Sequence, residues 1–145
     1  MSTEDEEKKE LENSLITLEY YKAQLEVMSK QNETLGVLLS DYLRAKDTLE
    51  NFKKLKGDDS ILIPIGATVF VFAKITDPSK AITNIGADVL SEESVDSVIG
   101  RLEKKIDDTK DLGRKLEENA LKIQQQMTAI SQRAQELYQK SQREQ

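Results

Sequence analysis

Several residue types on which enzymes and secreted domains depend are missing from this sequence of 145 residues, which has no cysteine, histidine or tryptophan. Without cysteine there is no disulfide framework and no thiolate metal site. Without histidine, the commonest general base and the commonest metal ligand are both missing. We therefore expect a protein that is not an enzyme and that binds neither a metal ion nor a cofactor.

Proline, glycine and aromatic residues are scarce, whereas charged residues are abundant. The chain contains 2 prolines and 6 glycines, and 5% of its residues are aromatic against 33% charged. This composition is typical of long solvated helices rather than of a compact globule. A single chain of this kind buries little apolar area to offset the entropy lost on folding, so we expect it to assemble with other subunits.

Long hydrophobic runs and a basic surface are also missing. No apolar stretch approaches the ~20 residues of a membrane span, and the acidic N-terminal segment lacks the apolar core of a secretory signal. The formal net charge of −6 disfavours nucleic acid, because phosphate binding requires a concentrated basic surface. These features favour a cytoplasmic protein without a membrane or nucleic-acid partner.

The positions of the prolines divide the chain, taken as a single domain over residues 1–145, into three segments. Residues 4–56 and 91–143 contain no proline and predict helices, whereas residues 61–90 contain both prolines and many β-branched residues. We expect Gly57 to end the first helix. Ser91, which two glutamates follow, is expected to cap the second.

Both helical segments carry a core position at alternating steps of three and four residues, which is the a/d repeat of a coiled coil. Folding the chain at about residue 74 pairs each seam position with another, for example Leu11 with Leu137. A register one heptad away also matches, and only the midpoint of the insert favours this pairing. The first seam comprises Leu11, Ser14, Leu18, Tyr21, Leu25, Met28, Asn32, Leu35, Leu39, Tyr42, Lys46, Leu49 and Lys53, and the second comprises Val95, Ile99, Leu102, Ile106, Thr109, Gly113, Leu116, Ala120, Ile123, Met127, Ile130, Ala134 and Leu137.

The insert contains an internal repeat, because Ile65–Val69 reads IGATV and Ile85–Val89, twenty residues on, reads IGADV. Each Gly-Ala pair lies between apolar runs, which predicts two β-hairpins with tight turns joined at Thr76–Ser79. Lone hairpins are unstable in water, so we expect their strands to pair with other subunits. The candidate assembly residues are Ile63, Ile65, Val69, Phe70, Val71, Phe72, Ile82, Ile85 and Val89.

A helix, two hairpins around these Gly-Ala pairs and a second helix resemble prefoldin subunits of the archaeal alpha type over essentially the whole chain. Beta-type subunits resemble it in the helices but carry a single hairpin, so the repeat favours alpha. The resemblance implies a mainly α fold: a long antiparallel two-helix coiled coil with two β-hairpins inserted at the bend that join an intersubunit β-barrel. The chain ends would then lie together at the open tip of an arm.

The resemblance also implies a function and partners. The chain would be a subunit of an ATP-independent, cytosolic molecular chaperone that contains two alpha and four beta-type subunits. The arm tips would hold non-native proteins and pass them to a group II chaperonin. The acidic segment at residues 4–7 would then be either a frayed solubilising tail or a contact for a basic chaperonin surface. The alternative function is a structural tether or spacer that oligomerises through its hairpins.

Apolar residues outside the seam near the tip discriminate between these two functions, because a spacer gains nothing from exposing them. Single exposed apolar residues are ordinary, but several near one end of an arm favour the chaperone. The client-binding candidates are Leu15, Ile16, Tyr20, Val27 and Tyr138. Four further apolar residues outside the seam, Leu43, Phe52, Val98 and Leu112, are expected to pack against the assembled hairpins.

Overall fold

Along the sequence, one long helix precedes two β-hairpins and a second long helix follows them, which confirms the predicted fold class. In a computed structural model that describes residues 2–143, helix α1 spans Thr3–Phe52 and helix α2 spans Val95–Arg143. The strands between them are β1 (Ser60–Gly66), β2 (Val69–Lys74), β3 (Lys80–Gly86) and β4 (Val89–Ser94). The ends of the predicted domain, Met1 and residues 144–145, lie outside the described residues.

The chain forms two compact units, and both helices contribute to each. The first unit comprises residues 1–36 and 111–145, and the second comprises residues 37–110. In its described part, 2–36 and 111–143, the first unit is helical from Thr3 and Asp111 onward, and the second contains all four strands. Neither helix is long and apolar enough, within residues 2–143, to cross a membrane.

Burial along both helices follows the predicted seam. Every seam position of α2 is buried or half-buried, and so is every position of the first seam except Asn32 in α1 and Lys53, which directly follows α1. Among the residues that the structure describes, the buried side chains belong to α2, except for that of Ile75 between β2 and β3, and no residue of α1 is buried. Thr109, the one polar residue among the buried side chains of the described chain, donates its hydroxyl hydrogen bond to the carbonyl of Lys105 at 2.6 Å.

Contacts between the helices agree with the pairing predicted from a fold near residue 74. In the first unit, Lys140 Nζ lies 2.6 Å from a Glu7 carboxylate oxygen. In the second unit, Lys46 Nζ lies 3.6 Å from Glu103. Each pair lies within one residue of the predicted pairing, and a register shifted by a heptad would move the partners about 10 Å apart along the axis.

The first helix ends earlier than predicted, at Phe52 rather than at residue 56. The chain then turns, and the N–H of Leu55 donates to the carbonyl of Phe52 at 3.1 Å. Gly57 therefore does not end the helix. Asp58, with a φ of 70°, takes the left-handed conformation, and its N–H donates to the carbonyl of Ile75 at 2.9 Å. This bond closes the base of the first hairpin.

The second helix begins four residues later than predicted, so Ser91 is not its cap. Ser91 lies in β4 and pairs with Thr83 of β3. The hydroxyl oxygen of Ser94 instead accepts a hydrogen bond from the N–H of Ser97 at 3.1 Å, which is the bond that an N-cap residue provides. Cross-strand pairing therefore overrides a local capping signal at residues 91–93.

The hairpin turns are tight, as predicted, and share one geometry. In the first turn φ is 112° at Gly66, 49° at Ala67 and 60° at Thr68, and residues 86–88 closely repeat these angles. Two consecutive central residues with positive φ form a type I′ turn, whose twist matches that of antiparallel strands. A bulge precedes each turn, at residues 64–66 and 84–86. The repeated sequence thus encodes a repeated backbone.

The segment that joins the hairpins forms the predicted turn. The Asp77 carboxylate accepts hydrogen bonds from the hydroxyl of Ser79 at 2.6 Å and from its N–H at 2.9 Å. Side-chain bonds of this kind mimic a backbone turn. They also lower the pKa of the Asp77 carboxyl from its usual value, with the bond from the Ser79 hydroxyl as the largest cause.

Candidate assembly and client-binding surfaces

The first hairpin, β1–β2, is apolar on both faces. Successive strand residues point to opposite faces, so Ile63 and its partner Val71 share one face while Leu62 and its partner Phe72 share the other. Val71 is 41% exposed and Phe72 is 85% exposed. A strand pair with two exposed apolar faces and free edges is suited to burial by other protein chains on both sides.

The second hairpin, β3–β4, differs because both of its faces are less apolar than those of the first. Ile82 and Leu90 lie on one face, paired with Glu92 and Asn84, and are 69% and 65% exposed. Away from the turn, the opposite face carries short or polar side chains, all of them half-buried. These four residues are Ala81, Thr83, Ser91 and Glu93. Val89, which continues the same face toward the turn, is 53% exposed.

Glu93 of β4 is the centre of a polar network on the half-buried face. Its carboxylate accepts a hydrogen bond from the Thr83 hydroxyl at 2.6 Å and forms an ion pair with the guanidinium of Arg101 on α2. The hydrogen bond from Arg101, and then that from Thr83, lowers the pKa of Glu93 from its usual value. The network therefore links both strands of this hairpin to α2.

All the predicted assembly residues lie in the four strands and are exposed. The structure adds Leu62 and Leu90, which are exposed beside them but were not among the predicted residues. Leu62 pairs with Phe72, and strict alternation along β1 would have placed it on the same face as Phe70 and Phe72. Leu90 could have been found from its position, since it repeats Phe70 twenty residues on.

Three of the predicted client-binding residues lie close together on α1. Leu15, Ile16 and Tyr20 fall within two helical turns and are all exposed. The phenol oxygen of Tyr20 accepts a hydrogen bond from the Gln24 amide at 2.9 Å. Its polar atom is thus satisfied within its own helix, while the ring remains available for apolar contacts.

Tyr138 has the same arrangement on α2. It is exposed, and its phenol oxygen accepts a hydrogen bond from the Gln142 amide at 2.8 Å. In both tyrosines the glutamine lies four residues toward the C-terminus, one turn along the helix, where side chains meet. Tyr138 therefore offers a second exposed ring in the first unit, on the other helix from Ile16 and Tyr20.

Val27 lies in a different environment from the other client-binding candidates. It lines an open groove of mainly apolar character in the first unit, together with Leu35, Leu112 and Leu116. Leu112, which was expected to pack against the hairpins, instead lies in this groove and is 54% exposed. The groove thus contains one client-binding candidate, Val27, and one residue that was expected to pack against the hairpins, Leu112.

The remaining apolar residues outside the seam lie in the second unit. Val98 is already buried within the chain, so it requires no partner subunit to cover it. Phe52 is half-buried and Leu43 is exposed. Of these three residues, only Leu43 is exposed, at 39%.

The helices are held together near the chain ends rather than frayed. Leu137 is only 3% exposed there, and Arg133 Nε lies 2.9 Å from the Glu10 carboxylate. The hydrogen bond from Arg133 lowers the pKa of Glu10, and the same bond raises the pKa of Arg133. Residues 4–7, expected to be frayed or to bind chaperonin, belong to α1, where the Ser2 hydroxyl accepts the N–H of Asp5 at 3.3 Å.

Binding a metal ion would require several ligating side chains close together. Within residues 2–143 no group of three or more acidic side chains is placed to hold a metal ion. The side-chain nitrogen and oxygen atoms that are buried in this part of the chain all have hydrogen-bond partners. The exposed surfaces described above are apolar, so they are suited to contacts with other protein chains.

Comparison with known proteins identifies the family. The family model described as Prefoldin, prefoldin subunit, matches residues 21–140. Prefoldin subunit alpha of Methanocorpusculum labreanum is 31% identical over 122 residues, which cover 84% of this chain and 83% of the relative. Prefoldin subunit alpha 1 of Methanocaldococcus jannaschii is 30% identical over 136 residues, which cover 94% and 93%.

Solved structures show the same fold at lower identity. The cryo-EM structure of filamentous PFD from Methanocaldococcus jannaschii matches with a TM-score of 0.57 and 19% identity, over 86% of this chain and 97% of that one. The crystal structure of the prefoldin beta subunit from Thermococcus strain KS-1 matches with a TM-score of 0.55 and 17% identity, over 87% and 90%. With its family match and its archaeal alpha-subunit relatives, the chain belongs to the prefoldin family.

Proposed function

We propose that this chain is an alpha-type subunit of an ATP-independent cytosolic chaperone that holds non-native proteins and passes them to a group II chaperonin. Membership of the prefoldin family supports a chaperone-type function. The observation that carries the finer proposal is the exposure of Ile16 and Tyr20, which lie one turn apart outside the coiled-coil seam. Apolar side chains at these positions serve no purpose in packing α1 against α2.

Assembly is the first step of the proposed function. The exposed apolar faces of the hairpins pair with beta-type prefoldin subunits, in a complex of two alpha and four beta, to form a β-barrel between subunits. Two-stranded hairpins with free edges support this step, because their unpaired N–H and C=O groups are templates for pairing with further strands. The arms of several subunits are then held at one platform.

Client binding is the second step, and it depends on the number of arms. Burying one apolar side chain against a client contributes about 1.5–3 kcal/mol at most, and ordering a mobile client reduces that gain. A single arm therefore binds weakly. Several arms on one platform raise the effective concentration of binding sites, so overall holding exceeds that of any arm.

The test compares complexes that differ only at the proposed client contacts. Ile16→Ser with Tyr20→Ser should leave the coiled coil intact, since exposed substitutions change stability by about 0.5 kcal/mol or less. The matched control is Glu118→Ser with Lys122→Ser, an exposed polar pair one turn apart on α2. Each chain is assembled with a beta-type subunit, and light scattering follows aggregation of a denatured client without ATP. The apolar pair should lose protection, and the control should retain it.

A spacer function is the second candidate, and the ion pairs near the chain ends favour it. Glu7 with Lys140 and Glu10 with Arg133 hold the helices together there, as a rigid strut requires. If the assembled wild-type complex does not suppress aggregation, the chaperone proposal fails and the spacer stands. If it does suppress aggregation but the serine pair protects equally well, the client binds elsewhere, for example in the groove beside Val27.

A further inference from the structure

The polar network of β3–β4 has no counterpart in β1–β2, although the two hairpins repeat each other at a spacing of twenty residues. Glu93 and Thr83 occupy the positions that Ala73 and Ile63 occupy in the first hairpin. Neither alanine nor isoleucine can form a hydrogen bond through its side chain. The network is therefore a feature of the second hairpin alone, added to a shared backbone.

The network attaches the hairpin to α2 at a second point. β4 ends at Ser94 and α2 begins at Val95, so strand and helix meet without a loop. There the N–H of buried Val95 donates to the carbonyl of Ser79 at 2.8 Å. Arg101 lies nearly two turns further along α2 and reaches Glu93. A hairpin held at one junction can pivot about it, whereas attachment at two separated points fixes its direction.

We propose that Glu93, Arg101 and Thr83 are positioning residues that hold β3–β4 against α2 and so set the direction in which Ile82 and Leu90 meet a neighbouring subunit. This inference rests on the proposed assembly of the hairpins with other subunits. β1–β2 lacks the equivalent attachment and takes its orientation from the subunits that cover its two faces. The two hairpins thus enter the assembly differently, one pre-oriented and one oriented by its partners.

The network is better placed for this role than an ordinary surface ion pair. The side chains of Arg101 and Glu93 are 36% and 25% exposed, against 66% and 57% for Arg114 and Asp111 elsewhere on α2. Glu93 also joins partners from two elements, Thr83 of β3 and Arg101 of α2, whereas the Asp111 pair lies within one helix. Removing the Asp111 pair therefore serves as a control for loss of charge alone.

The first measurement is the strength of assembly. Full-length chains with Glu93→Gln or Arg101→Lys are mixed with a beta-type subunit, and mass photometry across a dilution series gives the dissociation constant. We expect each variant to weaken assembly by about two- to fivefold per alpha subunit. The Asp111→Asn control should assemble as the wild type does. The exchanged pair, Glu93→Arg with Arg101→Glu, should regain most of the lost affinity.

The second measurement reports orientation directly. Because the chain has no cysteine, Glu92→Cys and Lys104→Cys place two spin labels, one on β4 and one on α2. Electron paramagnetic resonance on the full chain should show a broader distance distribution when Glu93→Gln is added, and a narrow one again in the exchanged pair. A loss of stability without a loss of direction would not broaden this distribution while the hairpin remains folded.

Two results would overturn the inference. In the first, Glu93→Gln assembles as tightly as the wild type and its label distance distribution is unchanged. In the second, the exchanged pair recovers neither the assembly affinity nor the narrow distance distribution. Failure of the proposed assembly itself would be recognised separately. Val71→Lys places a charge on an apolar face of β1–β2, far from the network in sequence. If that variant still assembles, the hairpins are not the assembly surface, whatever Glu93 does.

Discussion

The two hairpins have the same turn and the same length, yet their strand faces differ. The sequences IGATV and IGADV fold into the same type I′ turn with the same preceding bulge. Outside the turns, β1–β2 carries apolar side chains along both faces, whereas polar residues occupy much of both faces of β3–β4. The turn thus follows from local backbone preferences, whereas each strand face reflects what will cover it.

Position 71 and its repeat at position 91 test this comparison most strongly. Val71→Lys places a charge on one face of β1–β2, and Phe72→Lys places it on the other. Both faces are expected to be buried on assembly, where an unpaired charge costs several kcal/mol. Each variant should therefore prevent the complex from forming at micromolar concentration, as measured by mass photometry with a beta-type subunit.

Ser91→Lys is the matched substitution in the second hairpin. Ser91 shares the half-buried polar face with Glu93, so a cation there meets a carboxylate rather than an apolar partner. We expect this variant to assemble. If Ser91→Lys prevents assembly as completely as Val71→Lys does, the second hairpin is also covered on both faces and the distinction between the hairpins is wrong.

The turn glycines should behave alike, because the backbone of the turns is shared. Gly66 and Gly86 have φ of 112° and 118°, and a Cβ at either would meet no atom within 4 Å. The cost of alanine is therefore backbone strain alone, about 1–3 kcal/mol at each site. Thermal unfolding of the complex should show similar losses for Gly66→Ala and Gly86→Ala.

Gly100→Ala provides the control for the glycine series. Gly100 lies inside α2, where a Cβ has open space, and alanine favours a helix over glycine by roughly 0.5–1 kcal/mol. This variant should gain stability where the turn variants lose it. Unequal losses at the two turns would mean that the assembly strains one turn more than the other.

The sequence predicted the helices and the seam well because their signal is periodic and long. Twenty-six seam positions were named from spacing, and only Asn32 and Lys53 are exposed. Both are polar residues that were assigned to the seam because of their spacing rather than their residue type. The Gly-Ala repeat predicted the hairpins for a related reason, since a tight turn requires particular residues at fixed positions.

The helix boundaries and the polar network could not be predicted in the same way, because they depend on contacts between elements. Ser91 and the acids after it have the local signature of a helix start, and only their pairing with β3 places them in a strand. Glu93 was therefore assigned to a helical turn, where it would not have met Thr83. The groove beside Val27 was missed because it requires Leu112 from the other helix.

The second central residue of each turn, Thr68 or Asp88, should distinguish the hairpins by a smaller change in the stability of the complex. Thr68 and Asp88 have φ of 60° and 59°, a conformation that aspartate and asparagine tolerate but β-branched residues do not. Thr68→Asn should therefore stabilise the complex by about 0.5–1 kcal/mol. Asp88→Asn should change its stability by no more than about 0.5 kcal/mol. Equal shifts in the thermal midpoint for the two variants would contradict this expectation.

Lowering the pH should produce the smallest difference between the two hairpins, and this difference should arise from protonation of Glu93. The bond from Arg101, followed by that from Thr83, lowers the pKa of Glu93 below its usual value of 4.5. A carboxyl with a lowered folded-state pKa contributes stability that is fully present above its unfolded value and is lost as the pH falls through the folded value. The attachment of β3–β4 to α2 should therefore be constant from pH 7 to pH 5 and weaken only below about pH 4.5.

The strands of β1–β2 contain no carboxylate, so they have no equivalent titration. The two spin labels on β4 and α2 should report a constant distance distribution down to pH 5 and a broader one below pH 4.5. Other acids titrate in this range, including Glu10, whose pKa Arg133 also lowers. The informative quantity is therefore the difference between the wild type and Glu93→Gln, which cannot lose a proton at that position. If both chains broaden equally as the pH falls, another group controls the hairpin, and the direction of β3–β4 does not depend on the charge of Glu93.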